Sequence, residues 1–158
     1  MGLKKSDISE DEPKESHLGS WHANLIYIDR KKCLLFVNDK ILFNFIVPDI
    51  SRAQTKELSN IFRANLECVL AAEGIPQKAK TKIMSEYASI QYTNTNSKSI
   101  LGSMNDLAFH YKYLIQSEGG VHSYAVPSII KKLNHMPMGA LEYVFPIDAL
   151  KAVCKNAT

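Results

Sequence analysis

The stretch Cys33-Leu34-Leu35-Phe36-Val37 is apolar at every position. Side chains alternate sides along a strand, so a strand here is apolar on both faces. It has to lie in the interior of a sheet that is covered on both sides. Flanking strands are available at Trp21–Ile28 and at Ile41–Val47. Asp29-Arg30-Lys31-Lys32 reads as the first turn and Asn38-Asp39 as the second. Asn and Asp tolerate the positive φ that tight hairpins require. A two-residue second turn would pair Val37 with Lys40, Leu35 with Leu42 and Cys33 with Asn44.

After Pro48 the period changes from two to about 3.6. Ser51-Arg52-Ala53-Gln54 has the form of a capping box, followed by Leu58, Ile61, Phe62, Leu66, Val69 and Leu70 at helical spacing. Gly74 ends a helix of about 30 Å. A second helix is expected over Gln77–Tyr87, with Ala79, Ile83 and Met84 inward, then a short strand at Ser89–Thr93. A long third helix carries Leu107, Ala108, Tyr111, Leu114 and Ile115 on one face and breaks at Gly119-Gly120. Pro127–Leu133 suits a short helix that starts with proline. Asn134-His135-Met136-Pro137 is a turn, Leu141–Phe145 alternates like a strand, and Pro146–Val153 closes the chain as a helix. This order predicts an α+β fold. A mostly antiparallel sheet, begun by a three-stranded N-terminal meander, packs with about five helices.

Residues 1–19 are charged and aperiodic and read as a disordered tail, leaving 20–158 as a single domain. Met1-Gly2-Leu3-Lys4-Lys5-Ser6 fits the myristoylation pattern, but an ordinary flexible start is the preferred reading. No secretory signal or membrane-length apolar run is present. Three cysteines, Cys33, Cys68 and Cys154, are an odd count that suits a reducing cytoplasm. Cys33 and Cys68 stand in apolar stretches, as small hydrophobes do. The chain carries a net charge of +3. Residues 1–19 contribute −2 of this, so the remainder is +5. Such an excess suits an anionic partner, nucleic acid included, without the dense basic stripe of a dedicated nucleic-acid binder.

The polar segment Thr93–Asp106 is where a ligand site is expected. Ser103-Met104-Asn105-Asp106 has a capping form, which makes Ser103 the expected helix start. Ser99 is the alternative, with Gly102 then inside the helix at a cost of about 1 kcal/mol. A helix N-terminus facing this loop attracts anions. The candidate binding residues are Arg30, Lys32, Asn94, Asn96, Lys98, Ser99, Ser103 and Asn105. A purely structural helix start accounts for the same residues more economically. Asp106 and His110 are i,i+4 neighbours and the only candidate catalytic pair, for a small hydrolase. Ser103 and His110 stand about 10 Å apart along one helix, too far for a triad. The histidines are scattered without metal-ligand spacing, and nucleotide-binding loops are absent, so no metal or cofactor is expected.

Three stretches have a family character. They are Trp21-His22-Ala23-Asn24-Leu25 with Arg30-Lys31-Lys32-Cys33, then Thr93-Asn94 through Leu101-Gly102-Ser103-Met104-Asn105-Asp106, and Leu133-Asn134-His135-Met136-Pro137-Met138. Together they resemble a family of short bacterial proteins classed only as a domain of unknown function, over roughly residues 20–150. The resemblance implies a bacterial, cytoplasmic protein and carries no activity. A non-enzymatic binding or regulatory domain is the leading expectation. The hydrolase is one alternative, and a protein-interaction module or a homodimer paired through an edge strand is another.

Overall fold

The computed structural model describes residues 18–94 and 97–157. Three antiparallel strands, β1 (Trp21–Ile28), β2 (Lys31–Asn38) and β3 (Asn44–Val47), form one sheet in the order β1-β2-β3. The doubly apolar segment is the central strand, as its composition requires. Leu34 and Phe36 point to one helical layer, while Cys33, Leu35 and Val37 point to another. The first layer is α1 (Leu58–Ala72), α2 (Gln77–Glu86) and α5 (Pro146–Ala157), contributing Phe62, Leu66, Leu70, Ile83 and Leu150. The second is α3 (Lys98–Ser117) and α4 (Val126–Asn134), contributing Met104, Leu107, Tyr111, Ile115, Ile129 and Leu133. The fold is α+β.

Both hairpins differ from expectation. In the first, Asp29 and Arg30 alone form the turn, at φ +50° and +65°, so that Ile28 pairs with Lys31. Two successive left-handed residues give the turn whose twist matches the strands, and Lys31 and Lys32 join β2. In the second, Val37 pairs with Asn44 and Leu35 with Ile46, four residues beyond the predicted register. The cause is Asn38. Its Oδ1 accepts from the backbone N–H of Lys40 (2.9 Å) and of Ile41 (3.0 Å), and its Nδ2 donates to Leu18 O (2.8 Å). This local bonding displaces the tight turn with a wider loop in which Ile41, Leu42 and Phe43 are buried. A shift of four is even, so each apolar side chain keeps its face.

The Ser51–Gln54 capping box forms, with Ser51 N donating to Gln54 Oε1 (2.7 Å) and Gln54 N to Ser51 Oγ (3.1 Å). It opens a 3-10 turn over Gln54–Glu57, and α1 begins only at Leu58. Fifteen residues give about 22 Å rather than 30 Å. Gly74, at φ +72°, closes it as predicted, with Ile75 N donating to Leu70 O. Ser89–Thr93 is irregular chain rather than a strand, apart from a bridge position at Tyr92. Leu141–Phe145 is no strand either. A 3-10 turn at Gly139–Leu141 leads into Glu142 and Tyr143, both at positive φ, and an isolated bridge joins Met138 to Val144. Consecutive left-handed residues cannot propagate an extended ladder.

The myristoylation pattern and the tail up to residue 17 lie outside the described residues. Leu18 and Gly19, read with the tail, are buried. Cys33 and Cys154 are buried, and burial pushes both thiols up, whereas Cys68 is exposed on α1. Among the described residues no helix is long and apolar enough to cross a membrane.

Helix α3 starts earlier than either predicted cap. Ser97 is the N-cap, its Oγ accepting from Ile100 N (3.3 Å). The buried stripe Ile100, Met104, Leu107, Tyr111 and Ile115 runs the full length, which draws Ser103 and Asp106 into the helix interior. Gly102 therefore lies within α3, exposed, with no atom near the position a Cβ would occupy. Gly102→Ala should raise stability by about 0.5–1 kcal/mol, because glycine pays a backbone entropy cost in a helix. That corresponds to a melting temperature about 1–4 °C higher by calorimetry. A lower melting temperature would contradict the placement of Gly102 inside the helix.

Candidate functional site

Ser99 and Ser103 lie one turn apart at the N-terminal end of α3. They form one wall of a small open cleft of about 100 Å³, together with Ser97 and Ile100. The facing wall comes from two loops. Asp39, Lys40 and Leu42 belong to the β2–β3 connection, and Ala140 and Leu141 to the turn after α4. Lys98, the first residue of α3, is exposed beside it. The first turn of a helix leaves N–H groups without intrahelical partners. Ser97 Oγ takes the one at Ile100, and those of Lys98 and Ser99 remain at the positive end of a 20-residue helix. Asp39 opposes this field in part, and its Oδ1 lies 3.1 Å from His22 Nε2.

The predicted binding residues do not converge on one site. Ser99 and Ser103 line the cleft and Lys98 adjoins it. Asn94 is exposed on the preceding chain, Asn105 is exposed on α3, and Asn96 lies outside the described residues. Arg30 and Lys32 are at the other end of the helix. The hairpin tip is held there by Gln116 Nε2 donating to Asp29 Oδ1 (3.0 Å). Helix α3 rises about 30 Å between those ends. Sequence reasoning missed Ser97, Asp39, Lys40, Leu42, Ala140 and Leu141 as lining residues, because it takes Asn38-Asp39 for a tight turn, Ile41–Val47 and Leu141–Phe145 for strands, and Ser103 for the helix start.

Asp106 and His110 are both exposed, and neither lines the cleft. No hydrogen bond or ion pair joins them among the described residues, and the nearest ring to His110 is Phe109, edge-on at 5.8 Å. Three other histidines pair with carboxylates: His22 with Asp39, His122 with Asp49 (2.9 Å) and His135 with Glu73 (3.1 Å). The His122–Asp49 pair, the most accessible of the three, contributes about 0–1 kcal/mol. No group of three or more His, Cys, Asp or Glu residues suited to a metal ion occurs among the described residues.

The densest polar chemistry is buried and structural. Tyr111 O–H donates to Asn44 Oδ1 (2.6 Å), and Asn44 Nδ2 donates to Leu42 O (3.0 Å). Asn134 Oδ1 accepts from Asn44 N (2.9 Å), while its Nδ2 donates to Asn44 O (2.7 Å) and to Ile130 O (2.9 Å). Burial holds the Tyr111 phenol well above its usual range, so it stays a proton donor. Asn134 thus stands in for a neighbouring strand at the outer edge of β3.

No curated protein and no solved structure matches this chain. One family model matches residues 1–149, so the chain belongs to the family described as Domain of unknown function (DUF6933).

Proposed function

We propose that this protein is a non-enzymatic, cytoplasmic binding or regulatory domain. It contacts an anionic partner at the α3 N-terminus, with nucleic acid the leading class. The supporting observation is the meeting of Ser99 and Ser103 with Lys40 in one cleft at the positive end of a 20-residue helix, whose first residue is the exposed Lys98. The +5 charge of the chain after residue 19 is consistent with it. Hydroxyls and unpaired N–H groups suit phosphate oxygens, and lysines add attraction that salt screens.

The test is binding of the purified chain to short labelled DNA and RNA at low and high salt. Lys40→Gln with Lys98→Gln should weaken binding about tenfold and reduce the salt slope by about two, one unit for each phosphate no longer neutralised by a lysine. Because the basic hairpin is about 30 Å away, Arg30→Gln with Lys32→Gln separates two modes of binding. A long strand that spans both ends loses affinity in both double variants. A single anionic group loses it only at the cleft. No binding at low salt, or binding indifferent to the Lys40 and Lys98 changes, overturns the reading.

A further inference from the structure

We infer that the outer edge of β1 is the docking edge for a second copy of this chain, the two pairing antiparallel into a continuous six-stranded sheet. The argument starts from the first hairpin. A two-residue turn makes its flanking residues, Ile28 and Lys31, a hydrogen-bonded pair. Alternation then directs the backbone groups of His22, Asn24, Ile26 and Ile28 toward β2. Those of Trp21, Ala23, Leu25 and Tyr27 point away from it, and they have no hydrogen-bonding neighbour among the described residues.

A long open edge is normally protected by charge, proline or a bulge. β1 has none of these: the segment is Trp-His-Ala-Asn-Leu-Ile-Tyr-Ile, and its register with β2 is unbroken over eight pairs. The opposite edge is treated differently, since Asn134 occupies the outward N–H and C=O of Asn44. Among the described residues the β3 edge is capped at Asn44, and the β1 edge carries no such cap. A two-fold pairing through β1 uses that edge of both copies and so joins two three-stranded sheets into six strands.

The strand is also self-complementary. The register that uses all four outward residues places Trp21 opposite Tyr27 of the second copy and Ala23 opposite Leu25, with the two-fold axis at Asn24. Opposed residues in an antiparallel pair share a face, so the aromatic-rich layers of the two copies become continuous. Asn24 is partly buried, and its side-chain amide has no hydrogen-bond partner among the described residues. On the axis it meets its own symmetry mate, where each amide offers the donor and acceptor that the other lacks. Tyr27, 54% exposed in the single chain, gains Trp21 of the second copy as a cross-strand neighbour.

The experiment is light scattering on the full chain. The expected mass is twice the 17.7 kDa of one chain. A wild-type mass of one chain at about 100 μM would overturn the inference. Ala23→Pro removes an outward N–H that β2 does not use, so the variant should keep its far-ultraviolet circular dichroism and run as a monomer. Asn24→Asp keeps the side chain's shape and sets two like charges together on the axis, and should raise the dissociation constant at least tenfold. A dimer that survives either change in a folded protein uses another surface and refutes the inference. In the wild type, the amides of Ala23 and Leu25 should be protected from exchange when concentrated and released on dilution. Fast exchange at both concentrations would equally refute it.

Discussion

Asn134→Leu is expected to lower the stability of the chain by about 4 kcal/mol, although the two side chains are close in size. Asn134 is fully buried and makes three hydrogen bonds, two of them to the backbone of Asn44 at the outer edge of β3. With leucine there, the Asn44 N–H and C=O remain in a dry interior without partners. Each such orphan costs about 1–3 kcal/mol, more than an average hydrogen bond contributes when made. Urea denaturation measures the loss as a lower midpoint at unchanged slope. Tyr111→Phe is the graded control. It deprives Asn44 Oδ1 of one donor, and Asn44 keeps its other bonds, so about 1–2 kcal/mol is expected. A loss below about 1 kcal/mol for Asn134→Leu would show that water or a rearranged β3 satisfies the freed groups. The capped-edge account would then fail.

The same residue shows what the sequence could and could not disclose. The central position of β2 was legible because it rests on a local property, apolar residues at both alternating positions of Cys33–Val37. The ends of β1, the stop at Gly74 and the break at Gly119-Gly120 were legible for the same reason. The β2–β3 register was not. It depends on Asn38 folding its side chain back onto Lys40 and Ile41, and on Asn134 meeting Asn44 from 90 residues away. At α3 two local signals competed. The Ser103-Met104-Asn105-Asp106 capping form is present in the sequence, yet Ile100 and Met104 continue the buried stripe one helical repeat upstream, and packing decided the outcome. Counting the stripe backwards from Leu107 would have found the start at Ser97. The cleft was half legible. Ser99 and Ser103 follow from helical spacing, while its facing wall comes from loops whose conformations are set by left-handed residues such as Leu42 and Glu142.

Phe62→Ala should cost about 4 kcal/mol, through a different mechanism from the loss of Asn134. Phe62 sits on α1 where that helix meets the sheet, and its ring lies 5.3–6.1 Å from those of Trp21, Phe36, Phe45 and Tyr87. No other ring in this cluster contacts all the rest. Deleting it removes the transfer free energy of a buried aromatic and leaves a cavity whose rigid walls collapse only in part. Phe→Ala in such settings typically costs about 3–5 kcal/mol. The loss should also spread to polar contacts. Trp21 Nε1–H donates to Tyr87 Oη (3.0 Å), and Tyr87 O–H donates to Gly19 O (2.9 Å), so both rings that flank the cavity anchor the entry to β1. A near-ultraviolet dichroism change from Trp21 should therefore accompany the lower urea midpoint. Phe109→Ala supplies the contrast, since Phe109 is 69% exposed on the outer face of α3 and should change stability by no more than about 0.5 kcal/mol. Equal losses for the two phenylalanines would mean that Phe62 is not the centre of this layer. A large loss at Phe62 with an unchanged Trp21 signal would mean that α1 is held to the sheet mainly by its aliphatic residues Leu58, Leu66 and Leu70.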